Sequence, residues 1–320
     1  MDTLLPLGVL DYLKKRNLNL DFKEYINGYG YLMQKIYDKS IFNDLHLPST
    51  TYIAKDFKYV YLIKKFPIEF ESYSKDLEIL KNIYKEYIPK FIKIFVDDNS
   101  FFILSISKRG EILRKLTNED KQKVIRFFKK FYANMNNNMI SRNYFDIVNL
   151  SNYKIDKNII ISAINSRGKN KFDKMVVEYF QLVDKFIDKL PYDIEKRYSL
   201  LPLQGDFRRR NIVWQGGDVS QLIDYEMSCN GVLELEYIQL IKDLYGDKSK
   251  IFKQYIFDKN INNLKYLIIY LYQELLDLSV FKSAFCINSK YYLSIQNFLK
   301  RKIKVDKRLI KYYLKHYSFV

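Results

Sequence analysis

LPLQGDFRRRNIVWQGGDVSQLIDYE, residues 201–226, sets three residues capable of chemistry between short apolar runs: Asp206, Asn211 five residues later, and Asp224 eighteen residues after the first. NIVW (211–214) and QLID (221–224) have the β-branched and apolar texture of strands, and Gln215-Gly216-Gly217-Asp218 between them is a good tight turn. The acids and the amide therefore stand at the edges of a two-stranded ribbon. One carboxylate can sit beside a hydroxyl while an amide oxygen and a second carboxylate surround a divalent cation, and these are the parts that phosphoryl transfer needs once a nucleoside triphosphate is present.

Working outward toward the N-terminus, TTYIA (50–54) and YVYLIKKF (59–66) read as a hairpin around Lys55-Asp56-Phe57-Lys58. A helix is predicted over 74–87, where Leu77, Leu80 and Ile83 cover one face and Pro89 ends the run. FIKIFVDDNSFFILSI (91–106) supplies two more strands around an Asp-Asp-Asn-Ser turn. This is a small sheet carrying one helix, preceded by a segment, 1–37, that looks helical in parts. Beyond Lys108-Arg109-Gly110 the texture is mainly helical, with helices expected over 118–135, 171–190, 232–244, 260–279, 288–300 and 305–317, and only the 211–224 ribbon reads as strand. The expected division is 1–107 and 108–320, with 105–109 as hinge; ligands commonly bind in such clefts.

Composition narrows the classes. A chain of 320 residues, 48% hydrophobic and 17% aromatic, has ample material for a folded core. Two cysteines, Cys229 and Cys286, cannot form a disulfide framework or a four-thiolate site, and His46 and His316 are too few for a zinc triad. The expected compartment is a reducing cytoplasm. MDTLLPLGVLDYLKKRN carries Asp2 and Asp11 with no basic region ahead of its apolar run, and YLIIYLYQELL is cut by Gln273 and Glu274, so neither a signal peptide nor a membrane span is expected. The net charge of +17 accompanies 29 Tyr with only 10 Gly and 6 Pro, which matches a Lys- and Tyr-rich proteome as well as a special surface.

The order of elements and the 201–226 motif resemble the aminoglycoside phosphotransferase and choline kinase-like superfamily, small-molecule kinases with a protein-kinase-like fold. That family shows His-Gly-Asp, four variable residues, Asn, a short hairpin and Ile-Asp-Phe; here Gln204-Gly205-Asp206, Asn211 and Ile223-Asp224-Tyr225-Glu226 match it. The resemblance spans about 45–245 and more loosely the rest. It implies an α+β, bilobal protein-kinase-like fold, with a small antiparallel-sheet N-lobe and a mainly helical C-lobe. It further implies a Mg2+-dependent transfer of the γ-phosphoryl group of ATP or GTP to a hydroxyl of a small molecule, an aminoglycoside, sugar or amino alcohol among them.

By that resemblance Asp206 accepts or orients the proton of the acceptor hydroxyl, and Asn211 and Asp224 hold Mg2+, whose preference for hard oxygen donors explains why scarce Cys and His are no obstacle. A strand lysine should meet the phosphates. Lys64 and Lys65 lie on opposite faces, each apolar up to its lysine, so periodicity does not choose; the family position favours Lys64. Its acidic partner on the next helix is Asp76 or Glu78. Ser49, Thr50 and Thr51 stand where a phosphate-covering loop belongs, since no G-x-G-x-x-G is present there. Ser105 and Ile106 in the hinge complete the expected nucleotide contacts. Two departures are visible: the family His is Gln204, and the acid that secures the lobe is sought at Glu234 or Glu236.

The run Arg208-Arg209-Arg210 suits an anionic or sugar-like acceptor, or added phosphate contacts, whereas Glu226, Glu234 and Glu236 could form an acidic rim, so the acceptor stays open. Two other classes compete with the enzyme reading. One is a basic-surface protein that binds nucleic acid through Lys, Arg and Tyr, for which charge alone argues weakly. The other is a degenerate kinase fold used for binding or scaffolding.

Overall fold

A computed structural model of the chain describes residues 23–25, 50–55, 59–96, 99–108, 110–113, 115–133, 139–166, 170–190, 196, 198–225, 227–246, 261–286 and 292–316. In chain order the elements are β1 (Lys23–Tyr25), β2 (Thr50–Lys55), β3 (Tyr59–Pro67), α1 (Ser72–Tyr84), β4 (Lys90–Val96), β5 (Ser100–Lys108), α2 (Asn118–Tyr132), α3 (Tyr144–Ile147), α4 (Leu150–Ser166) and α5 (Lys171–Ile187). They continue with β6 (Leu201–Leu203), β7 (Ile212–Gln215), β8 (Asp218–Leu222), β9 (Cys229–Gly231), α6 (Leu233–Tyr245), α7 (Ile261–Leu276), α8 (Ser279–Cys286) and α9 (Tyr292–His316). Two compact units result. The first gathers the described parts of Met1–Lys35, Leu45–Asn143 and Leu200–Asp247; the second, those of Tyr144–Ser199 and Lys248–Val320.

In the first unit a five-stranded antiparallel sheet has the order β1-β2-β3-β5-β4. Both faces of its centre are buried: Tyr61, Ile63, Phe102 and Leu104 on one side, Phe66, Phe101 and Ile103 on the other. The second face joins α1, whose buried Tyr73, Leu77, Leu80 and Tyr84 recur at helical spacing, and α2, whose Val124, Phe127, Phe128, Phe131 and Tyr132 do the same. Thr117 starts α2 with a reciprocal cap: its hydroxyl accepts from the Asp120 N–H at 3.2 Å while Asp120 accepts from the Thr117 N–H at 2.9 Å. Asp76 on α1 is buried and accepts from the Ser141 N–H and hydroxyl, both at 2.6 Å, which ties the 139–143 segment to the helix.

The ribbon β7–β8 forms around Gly216 and Gly217, both at positive φ, as a two-residue hairpin turn requires. The region after 108 holds a second pair beyond this expected one: β6 with β9. β1 is a strand in the stretch read as partly helical, and the rest of 1–37 lies outside the described residues.

The second unit is helical. Asn170 caps α5, its side chain accepting from the Phe172 and Asp173 N–H groups. α9 is one continuous helix of 25 residues where two were expected, because buried Leu299, Ile303, Ile310 and Tyr313 keep one stripe through the basic stretch between them. Buried charge is paired: Lys282 meets Asp156 at 2.9 Å, and Lys302 meets Glu274 at 2.8 Å and Asp306 at 3.0 Å, with the Tyr179 hydroxyl donating to Asp306. No helix among the described residues is long and apolar enough to cross a membrane.

Candidate active site

The loop after β6 is held by its own apolar residue. Phe207 is buried, and its ring packs among Phe127, Phe128, Phe131 and Tyr132 of α2 with centroids 4.9–6.1 Å away. Anchoring Phe207 fixes its neighbour Asp206. On the other side Gly205 has φ +86°, and a Cβ there would stand 1.9 Å from the Met227 carbonyl oxygen, so the close crossing of the loop over residues 227–228 requires glycine.

Gln204, fully buried, uses every polar group it has. Its Nε2 donates to the carbonyls of Ile223 (3.1 Å) and Asp224 (2.5 Å), while its Oε1 accepts from the Asp206 N–H at 2.8 Å. Its own N–H donates to the Tyr132 hydroxyl, and its carbonyl accepts from Ser228. One amide thus binds the Asp206 loop to the end of the ribbon. A neutral imidazole, with one donor and one acceptor, could not replace all three side-chain bonds.

Beneath the loop lies Glu236 of α6. Its carboxylate accepts from the Gly205 N–H at 2.7 Å, from the Tyr132 hydroxyl and from the backbone of Phe207. Burial is the largest influence and raises its pKa from 4.5 to about 7, opposed by these hydrogen bonds. Of the two glutamates expected near the site, Glu236 reaches the loop; Glu234 is half-buried on the same helix.

Asp206 is 3% exposed. Its Oδ2 accepts from Asn211 Nδ2 at 2.9 Å and from Arg210 Nη2 at 2.8 Å, and its main-chain carbonyl accepts from Asn211 Nδ2 as well. Arg208 Nε stands 2.6 Å from Oδ1 as an ion pair, but its N–H is not aimed for a hydrogen bond, so that buried oxygen has charge beside it and no donor. Arg209 turns elsewhere: its main-chain N–H donates to Asp243 on α6 at 2.9 Å, and its Nε stands 3.7 Å from the same carboxylate.

Lys64 and Asp224 come together from positions 160 residues apart, the ammonium donating to Asp224 Oδ1 at 2.9 Å, both side chains half-buried. Lys64 shares a sheet face with Phe66 and, across the ladder, Ile103, the face that α1 covers. Lys65, on the opposite face, lies 5.4 Å from the ring centroid of Phe102. Asp224 has φ +65°, a left-handed conformation, where Gln204 grips its carbonyl.

The other expected nucleotide residues are distributed more widely. Asp76 is engaged by Ser141, and Glu78 is exposed on α1. Thr50 and Thr51 lie in β2, in register with Lys65 and Lys64 respectively, while Ser49 is outside the described residues. Ser105 and Ile106 lie within β5; the Ser105 hydroxyl donates to the Leu62 carbonyl at 3.3 Å, and Ile106 is half-buried opposite Tyr61. Sequence reasoning missed Tyr132, Ser141 and the anchoring role of Phe207. Only Phe207 carried a signal, as an apolar residue between Asp206 and three arginines.

For a divalent cation the donor chemistry fits. Asn211 Nδ2 is committed to Asp206, which leaves its oxygen, and Asp224 supplies a carboxylate. Among the described residues no three His, Cys, Asp or Glu side chains gather as a metal cluster. Mg2+ needs no such cluster, because it is commonly held by one or two protein oxygens, substrate phosphates and water.

Sheet, covering helix, loop and ribbon together have the α+β kinase-like fold. Solved structures share it along nearly the whole chain. The GDP and kanamycin complex of APH(2")-IIia superposes with a TM-score of 0.58 at 11% identity, covering 93% of this chain and 98% of that one. The streptomycin–ATP ternary complex of APH(2")-IIa gives 0.56 at 14% identity, with 96% and 98% covered. A microcompartment-associated aminopropanol kinase gives 0.58 at 11% identity, with 97% and 98% covered. No protein-family model and no curated protein matches the sequence. At these identities the likeness is one of fold.

Proposed function

We propose that this chain is a phosphotransferase that moves the γ-phosphoryl group of ATP or GTP onto a hydroxyl of a small molecule. The observation that carries the reading is the Lys64–Asp224 ion pair, formed where the sheet and the end of the ribbon meet, next to a loop in which Asn211 is hydrogen-bonded to Asp206. A kinase-like site needs a lysine for phosphates, two oxygen donors for a cation and a carboxylate for the acceptor, and these four side chains provide them. The complexes of two proteins that share the fold, one with GDP and kanamycin and one with ATP and streptomycin, support nucleotide and hydroxylated acceptor as the substrate classes.

In this mechanism Lys64 exchanges Asp224 for the phosphates of the bound nucleotide, which frees the carboxylate of Asp224. Asn211 and Asp224 would hold Mg2+, which supplies charge neutralisation at the phosphates when bound. Asp206 orients the acceptor hydroxyl and takes its proton. Gln204 keeps the two carboxylate-bearing segments in fixed register, and positioning of this kind accounts for much of the rate in phosphoryl transfer.

Calorimetric titration with non-hydrolysable ATP and GTP analogues, with and without Mg2+, tests the reading. Wild-type protein should bind in a Mg2+-dependent manner that D224N loses, while D206N should keep binding and lose turnover. Folded wild-type protein that binds neither analogue overturns the proposal and leaves a kinase fold used for other contacts.

A further inference from the structure

The two guanidinium groups on Asp206 point to the class of acceptor. We infer that the acceptor hydroxyl belongs to an anionic molecule, one carrying a carboxylate or phosphate ester near the reacting hydroxyl, and that Arg208 and Arg210 select it. The inference rests on the phosphotransferase reading and deepens it.

The Asp206 carboxylate has a guanidinium at each oxygen: Arg208 Nε 2.6 Å from Oδ1 and Arg210 Nη2 2.8 Å from Oδ2. The two oxygens are not equivalent. Oδ2 has donors from Asn211 and Arg210, whereas buried Oδ1 has no hydrogen bond. Oδ1 is therefore the atom that an acceptor hydroxyl would donate to, and Arg208 must turn aside to admit it. A guanidinium drawn away from a carboxylate is best satisfied by another oxyanion, carboxylate or phosphate, which it can grip with two parallel N–H groups. At 42% side-chain exposure, Arg208 has room to make that exchange without breaking a core, and Arg210, 54% exposed, stands at the other oxygen of Asp206.

A cationic acceptor fares worse here. Its ammonium would approach a hydroxyl position bordered by two guanidiniums, where like charges repel. Glu236, the carboxylate bonded beneath the loop, is turned to the Gly205 N–H and Tyr132, and Asp243 is taken by Arg209. The loop thus differs in charge logic from a site built to draw in amines.

The O–H bond of the acceptor breaks and its proton passes to Asp206 Oδ1, the acceptor oxygen bonds to the γ-phosphorus, and the bond from that phosphorus to the β–γ bridging oxygen breaks. The nucleoside diphosphate leaves with that electron pair. The anionic group, held by Arg208 and Arg210, does not react.

The test offers radiolabelled ATP and GTP with Mg2+ to three pools of acceptors: hydroxy acids with sugar phosphates, neutral sugars with polyols, and amino alcohols with aminoglycosides. Label should pass into the anionic pool, and its separated hydroxy acids and sugar phosphates then distinguish carboxylate from phosphate. Against the acceptor so identified, R208Q and R210Q should each lower kcat/KM by about tenfold to a hundredfold, the loss expected for one charge-assisted hydrogen bond. The loss should fall on the KM for acceptor and leave that for nucleotide in place. Calorimetry on nucleotide-loaded protein should show the acceptor bound more weakly by the same factor. Transfer confined to the neutral or cationic pools overturns the inference, as does an anionic acceptor indifferent to both variants. Transfer to no pool by protein that binds nucleotide also overturns it while sparing the nucleotide site. Protein that binds no nucleotide brings down the parent reading too.

Discussion

Replacing Glu236 by Gln should change how the first unit's stability depends on pH. Burial among Tyr132, Gly205 and Phe207 raises the Glu236 pKa from 4.5 to about 7. The folded state therefore holds this proton more tightly than the unfolded chain. The corresponding stabilisation is fully present below pH 4.5 and is lost as pH rises to about 7, by an amount of about 3 kcal/mol at 1.36 kcal/mol per pH unit. E236Q cannot titrate, so whatever constant difference the amide introduces, the stability of the variant minus that of wild type should climb by about 3 kcal/mol from about pH 4.5 to about pH 8. The only tryptophan, Trp214, is buried in the same unit, and its fluorescence in urea titrations reads that unit directly. Taking the difference between the two proteins removes every titrating group that does not interact with Glu236. Curves that run parallel within about 1 kcal/mol over the range would refute the reasoning, because they would mean that folding leaves the affinity of Glu236 for its proton unchanged.

Three further expectations concern the same framework. G205A forces a Cβ to within 1.9 Å of the Met227 carbonyl in a left-handed residue, and should lower the urea midpoint read at Trp214 by the equivalent of about 2 kcal/mol or more; an unchanged midpoint would mean that the loop crosses residue 227 less tightly. Q204L leaves the Ile223 and Asp224 carbonyls and the Asp206 N–H without their side-chain partner, at about 1–3 kcal/mol for each buried group. Q204H restores some of those bonds, so stability should rank wild type above Q204H above Q204L, and equal midpoints would contradict the bonding described. In the second unit, K282M strands the Asp156 carboxylate, and should cost about 3–5 kcal/mol by melting followed with circular dichroism, with D156N/K282M recovering part of the loss; a double variant no better than K282M would show that the pair is not the reason.

The sequence made the ribbon legible because two consecutive glycines between short apolar runs have few other uses, and β7 and β8 lie where those runs are. The sheet and its helix were legible for the same kind of reason, strong period-2 and helical patterning. Other elements leave little trace. β6 and β9 are three residues each, LPL and CNG, with a proline in one and a glycine in the other, and they pair through tertiary placement rather than strand propensity. α4 is rich in isoleucine on more than one face, with Ile155 and Ile159 exposed and Ile160 and Ile164 buried, so its pattern does not declare a helix. Lysines and arginines in the middle of α9 read as a break between two helices, although its buried stripe is unbroken.

At the site, Asp206, Asn211 and Asp224 could be read as a motif, but their partners could not. Lys64 and Lys65 are indistinguishable by alternation when Tyr61, Ile63 and Phe66 are all buried, so the ion pair with Asp224 depends on the whole sheet. Asp76 finds Ser141 65 residues away, a pairing that no helical spacing encodes. Gln204 in place of histidine reads as a departure in the sequence and as a fully bonded amide in the structure.

The aromatic seat of Phe207 has a kinetic consequence. Because the ring is packed among side chains of α2 that also pack on Tyr84 of α1, the loop bearing Asp206 opens only when that packing opens. The amide hydrogen of Gly205, bonded to Glu236, should exchange with deuterium at a rate set by cooperative unfolding of the whole unit, like a core strand and unlike a surface loop. Function and folding then share a single opening event, and a core substitution outside the loop, such as one at Phe131, would shorten the lifetime of the site by the same factor as it shortens that of the fold.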